Sequence, residues 1–401
     1  MRMSGLANDF QKGKNINFES NDPASRQKIS PQKGVSRRFR ASRTAERPEY
    51  EKQSVEMKRI GNLYEKIISL DNLRLADEKA RRGKLRSYGV LLHDKNREAN
   101  ILALHETLKN RTFKNSEYST FTIYEPKERI IFRLPYYPDR ILHHAIMNIL
   151  EPIWVSVFTK DTYSCIKGRG IHGAMRNVKR AIKDRENARY CLKIDIRKFY
   201  PSIDHDVLKA IIRRKIKCKD TLALLDTIID STDGVPIGNY LSQYFANLML
   251  AYFDHWIKEE KRVRYYFRYA DDMVFLASTK EELHILLADI KKYLAALKLT
   301  LKGNEQIFPI AENRADKHGR GLDFVGFVFY HNQTLMRKSI KQNFCRMAAR
   351  LNKKLNISAR DYKQRSCSWY GWAKVSNSKH LLKTIIKSQF YDTFVLRCKA
   401  V

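Results

Sequence analysis

The sequence predicts an α+β chain, and three stretches carry the prediction. Between Tyr265 and Ala277, two short aromatic and aliphatic runs flank Asp271 and Asp272, the pattern of a tight β-hairpin with acids at its tip. Upstream, Leu192, Ile194 and Ile196 alternate with Lys193, Asp195 and Arg197, as a strand with one packed face does. Helical spacing completes the pattern: Leu283, Leu286, Leu287, Ile290, Leu294 and Leu297 recur behind a Thr279–Glu282 capping box. An Asp-Asp tip by itself is a common solvated turn. A strand bringing Asp195 beside it would gather three acids, which repel one another unless a cation neutralises them. Such a cluster suits two Mg²⁺ ions, with Mn²⁺ as a substitute, held through carboxylates, waters and substrate phosphates. Paired ions about 3.5–4 Å apart stabilise the attacking and leaving oxygens of an in-line displacement. The chemistry implied is phosphoryl or nucleotidyl transfer.

Charge points to the partner. With 77 Lys and Arg against 43 Asp and Glu, the 401-residue chain carries a formal +34, which favours a polyanion such as nucleic acid. An anionic membrane is the rival, but no apolar run approaches a transmembrane length and no signal-peptide pattern opens the chain. Six scattered cysteines without a C-x-x-C pair read as reduced thiols, so a cytoplasmic protein is expected. At 43% hydrophobic the chain can bury two or three subdomains. Charge alone leaves an enzyme and a catalytically idle RNA-binding scaffold both open.

With Tyr269-Ala270-Asp271-Asp272 in a hairpin and Asp195 five residues before Tyr200, the chain resembles the palm of reverse transcriptases. The similarity runs from about Ile60 to the C-terminus. In detail it resembles bacterial reverse transcriptases of diversity-generating retroelements and their relatives in phage defence. The resemblance implies a right-hand polymerase with fingers, an antiparallel palm sheet and a helical thumb. Residues 1–51 would be a basic arm, disordered alone or ordered on RNA, with Arg37, Arg38, Arg40 and Arg43 its densest patch. Residues 52–190 would hold the N-terminal helices and fingers, 191–320 the palm, and 321–401 a primer-grip hairpin and basic thumb. The implied function is RNA-directed DNA synthesis on a dedicated structured RNA. The partners would be that template, an RNA/DNA duplex, dNTPs, and an accessory protein or a second copy of the chain.

Taken in order, Ile60–Arg82 and Asn100–Leu108 read as helices, and Ser119–Arg133 as a hairpin turning at Pro126-Lys127-Glu128. By resemblance that hairpin is the fingers, where Lys127 and Arg129, with Arg133, meet the nucleotide triphosphate. A helix from Ile141 should stop near Pro152, and His143 and His144, being adjacent, point to different faces. Lys167 and Arg169, among glycines that admit a phosphate, resemble a template-contacting block. Tyr200 matches the ring that excludes a 2′-hydroxyl, whereas Asp204 reads as a helix N-cap. Ile237, Gly238 and Gln243 fall where relatives support the nucleotide. Many carry Gln at the position of Ile237, so reduced fidelity is expected. Asp195, Asp271 and Asp272 would be catalytic and bind metal, Tyr269 and Gly326 would meet the primer, and Lys302 resembles a lysine that protonates leaving pyrophosphate. Leu322–Tyr330 reads as one strand pairing with Leu335–Lys338, and Ile340–Leu355 and His380–Leu396 as thumb helices joined through Ser368–Trp372.

Overall fold

The computed structural model describes residues 58–124, 128–354 and 357–386, all within one compact unit, Arg47–Val401. The basic arm, Lys127 at the hairpin turn, Cys398 and the end of the last expected helix lie outside the described residues.

The chain enters through α1 (Tyr64–Ile68) and α2 (Leu70–Ala80), where one continuous helix was expected. Ser69 leaves the helical region at ψ 141° and its side chain accepts the Asn72 N–H, ending one helix and capping the next. Next come α3 (Tyr88–Asp94), α4 (Arg97–Lys109), and the antiparallel hairpin of β1 (Ser119–Ile123) and β2 (Arg129–Arg133). The helix α5 (Ile141–Val155) continues through Pro152 rather than stopping there. Near the end of a helix a proline forfeits one backbone bond, and burial of Leu150 and Trp154 outweighs it.

After α6 (Gly170–Ala181) the chain forms β3 (Tyr190–Asp195), then α7 (His205–Arg213) and α8 (Lys219–Ile229). Asp204 caps α7 by accepting the Val207 N–H at 3.0 Å, as expected. The helical stretch that follows breaks at Leu250 (φ −106°, ψ 3°) into α9 (Ser242–Met249) and α10 (Ala251–His255). The hairpin of β4 (Tyr265–Tyr269) and β5 (Asp272–Ala277) follows, and then α11 (Lys280–Ala296) and β6 (Gln306–Pro309). Thr279 caps α11, while the Glu282 carboxylate accepts from Ser278 rather than reaching back to Thr279.

These strands make one antiparallel sheet in the order β4-β5-β3-β6. One face, with Leu192, Ile194, Tyr266, Met273 and Phe275, packs into the main helical core. At one end of the other face Cys191, Phe267, Val274 and Leu276 join a second core. The opposite end of that face is left open for polar residues.

The strand expected over Leu322–Tyr330 is instead two, β7 (Leu322–Phe324) and β8 (Phe327–Phe329), which pair with each other, and β8 pairs on its other edge with β9 (Thr334–Met336). Val325 and Gly326 turn between them at φ 44° and 85°, and a Cβ on Gly326 would lie 2.5 Å from the Trp372 ring. Three helices follow: α12 (Lys338–Asn352), α13 (Ala359–Val375) and α14 (Lys379–Ile385). Ser368–Trp372 lies inside α13 and is not a joint, because Tyr370 and Ala373 anchor that helix in a third core with Phe344 and Leu351.

Candidate active site

The β4–β5 hairpin turns through Ala270 and Asp271, with Tyr269 opposite Asp272. Ala270 sits at φ +55°, a left-handed conformation that costs a residue with a Cβ and usually falls to glycine in such turns. Behind it lies a feature the sequence reading missed. Arg268 and Asp254 are both fully buried, with the guanidinium fork on the carboxylate: Nε donates to Oδ1 at 2.8 Å and Nη2 to Oδ2 at 2.6 Å. The hydroxyls of Tyr266 and Thr162 donate to the same carboxylate at 2.7 and 2.8 Å. Arg268 Nη1 reaches the Ala270 carbonyl and the Asn247 side chain, each at 3.2 Å. The strained turn is thereby tied to α9 and α10. An arginine inside an otherwise apolar run was the available signal.

On the open face, register places Asp195 of β3 directly opposite Asp272. The two acids of the tip have different neighbours. Burial, then the like charge of Asp195, pushes the Asp271 carboxyl up to about 6. Asp272 is also pushed up to about 6 by burial, against the pull of Lys193. Lys193 Nζ lies 3.4 Å from Asp272 Oδ2 and donates to the Asp323 carbonyl at 2.6 Å, joining the sheet to the β7–β8 turn region. Its place two residues before Asp195 put it on the same strand face, so it was readable from alternation. Lys302 Nζ lies 3.3 Å from Asp195 Oδ2, and its N–H donates to the Asp195 carbonyl at 2.9 Å.

The acids line a cleft of about 660 Å³ shared with Arg129, Gln306, Arg320 and Arg337. Tyr200 is half-buried in a single 3₁₀ turn, near Asp271, Tyr269 and Arg129. Burial raises its hydroxyl pKa, so the ring presents a neutral phenol. Ile237 and Gly238 pack on the β1–β2 hairpin: the Phe132 N–H donates to the Ile237 carbonyl at 2.8 Å, and a Cβ on Gly238 would lie 2.3 Å from the Phe132 carbonyl. Lys167 and Gln243 line a separate cavity. Arg169 donates to the carbonyls of Thr159 and Thr162, so it buttresses its own loop. Gly326 is buried against Trp372 of α13 and Ile340 of α12.

A divalent cation fits part of this donor set. Asp195 and Asp271 repel across a half-buried gap, and Asp272 Oδ1 is buried without a hydrogen-bond partner. Among the described residues no group of three or more His, Cys, Asp or Glu side chains is placed to hold a metal ion, so the three acids expected to bind metal together do not form such a group. Mg²⁺ in particular keeps waters and phosphate oxygens in its shell and needs only one or two carboxylates. Also among the described residues, the five cysteines are free and no helix is long and apolar enough to cross a membrane.

Residues 124–304 match the family model described as reverse transcriptase (RNA-dependent DNA polymerase). The chain is similar to protein YkfC of Escherichia coli (strain K12), 24% identical over 266 residues, covering 54% of this chain and 67% of that protein. It is also similar to the group II intron-encoded protein LtrA of Lactococcus lactis subsp. cremoris, 27% identical over 139 residues, covering 32% of this chain and 23% of LtrA. Among solved structures, apo telomerase from Candida tropicalis aligns with a TM-score of 0.41 at 12% identity, covering 67% of this chain and 61% of that one. The chain therefore spans less than two thirds of LtrA and of that telomerase.

Proposed function

We propose, from the match of residues 124–304 to the reverse transcriptase family model, that this chain copies a dedicated structured RNA into cDNA by nucleotidyl transfer. The observation that carries the reading is the placement of Asp195 opposite Asp272, with Asp271 at the strained tip between β4 and β5. In this reading residues 52–190 act as fingers, 191–320 as palm, and 321–401 as primer grip and thumb.

Asp195 and Asp271 would hold the Mg²⁺ ions, with Asp272 the more peripheral acid because Lys193 already partners it. Two bound ions would stabilise the attacking and leaving oxygens of the displacement. The remaining work falls to the chain itself. Arg129 in the cleft wall would bind the triphosphate of the incoming nucleotide. Tyr200, beside Asp271, would exclude a 2′-hydroxyl by steric overlap, and Tyr269 would position the primer end. Lys302, held on Asp195, would supply a proton to the departing pyrophosphate from Nζ.

Two settings fit this activity: error-prone copying of a template repeat in a diversity-generating retroelement, and cDNA synthesis in an antiphage system. The test is sequencing of nucleic acid co-purified with the intact protein and with an Asp271→Ala/Asp272→Ala variant. A defined RNA in both samples, with matching cDNA only in the intact protein, is expected. Adenine-biased errors in that cDNA would select the retroelement setting, and faithful or repetitive products the defence setting. Equal cDNA in both samples would overturn the catalytic assignment.

A further inference from the structure

Lys167 and Gln243 belong to a second cavity, of about 370 Å³, that shares no lining residue with the acid cleft. Its walls come from α2 (Lys79), α5 (His144 and Asn148), the loop before α6 (Lys167), and the segment entering α9 (Tyr240 and Gln243). His144 and Tyr240 stack with ring centroids 4.5 Å apart and planes 21° from parallel. Burial, then Arg140, Lys84 and Lys79, pushes the His144 ring down to about 4, so it is a neutral aromatic surface at physiological pH. Lys79 and Lys167 are the cationic side chains of the lining. Lys79 Nζ is aimed by a 2.6 Å bond to Asn148 Oδ1, and Lys167 is exposed at the rim. The carboxylate in the lining, Glu151, accepts the Tyr244 hydroxyl at 2.7 Å. An aromatic stack, two ammonium groups and side-chain amides lining one cavity have the recognition chemistry of a single nucleotide: a π-face for the base and cations for its phosphate.

Resting on the reading of the chain as an RNA-copying polymerase, we infer that this cavity receives one unpaired nucleotide of the RNA template. Its base extends the His144–Tyr240 stack and its phosphate lies between Lys79 and Lys167. A free nucleoside triphosphate offers the same chemistry, but the acids suited to its metal line the other cleft.

The experiment uses the full chain and RNA templates annealed to a DNA primer, with 2-aminopurine placed at successive positions of the unpaired 5′ overhang. One position should be quenched on binding while its neighbours are not. Tyr240→Leu should abolish that quench and weaken overhang binding by about 5- to 150-fold, the range for losing one base–aromatic stack. Tyr240→Phe should retain both. Binding of a blunt-ended duplex should be equal for all three proteins, which controls for folding. Uniform quenching along the overhang, or Tyr240→Leu weakening blunt and overhang duplexes alike, would overturn the inference. Quenching of free 2-aminopurine deoxynucleoside triphosphate at the same site would reassign the cavity to free nucleotide and also overturn it. The polymerase reading fails separately: a wild-type protein that quenches one overhang position but never extends the primer would refute that reading and leave the nucleotide pocket standing.

Discussion

Replacing Arg268 by Met probes what holds the carboxylate hairpin in place. Arg268 and Asp254 have no exposed side-chain surface, and the guanidinium also serves the Ala270 carbonyl at φ +55°. Removing the cation leaves Asp254 buried with two hydroxyl donors and no counter-charge, a loss of about 3–5 kcal/mol for a broken buried pair. At an unfolding entropy of about 2.1 cal/mol/K per residue, the 401-residue chain shifts its midpoint by about 1.2 °C per kcal/mol, a drop of about 4–6 °C. Arg268→Lys should lose less, because a charge remains while the fork is lost. The combined Arg268→Met/Asp254→Leu variant removes both charges and should be more stable than either single change, although Thr162 and Tyr266 then lose an acceptor. Equilibrium urea unfolding of the wild type, both singles and the double closes a thermodynamic cycle. A Met change costing under about 1 kcal/mol, or a double variant equal to the sum of its singles, would refute the reasoning.

Three further outcomes are expected. His143 is buried and pushed down to about 3, whereas unfolded histidine titrates near 6.5, so the unfolded state binds a proton the folded state refuses as pH falls below 6.5. Its contribution, complete above 6.5, should decline by about 2 kcal/mol by pH 5, and His143→Leu should flatten that slope in urea titrations run at pH 7 and 5. Tyr200→Ala should raise ribonucleotide incorporation relative to deoxynucleotide, read as a ratio of kcat/KM; an unchanged ratio would remove its steric role. Ile237→Gln should lower misincorporation if the missing amide relaxes nucleotide selection, and error rates from sequenced products decide it.

The sequence by itself determined the elements that bear the three acids. Alternation over Cys191–Ile196 and the aromatic runs around Asp271 and Asp272 report strands whose two faces meet different surroundings, and such periodicity is local. The caps at Asp204 and Thr279 were legible for the same reason: each side chain bonds a backbone N–H three residues on. Local signals failed where a distant neighbour changes the balance. Exposed Pro152 stays inside α5 because Leu150 and Trp154 on either side of it are buried in the core, and Leu322–Tyr330 folds into two strands because a turn at Gly326 fits beneath Trp372 of α13. Asp254 and Arg268, or Lys193 and Asp323, are ordinary charged residues in the one-dimensional record. Only the tertiary structure decided that one pair is sealed behind the hairpin and the other bridges the sheet to β7. Tertiary structure also divided residues expected to meet nucleotide and template between two cavities, with Arg129 beside the acids and Gln243, expected at the nucleotide, in the other with Lys167, expected at the template. The physical reason is that burial and Coulomb interactions depend on distance in space, and sequence spacing reports that distance only within one strand or helix.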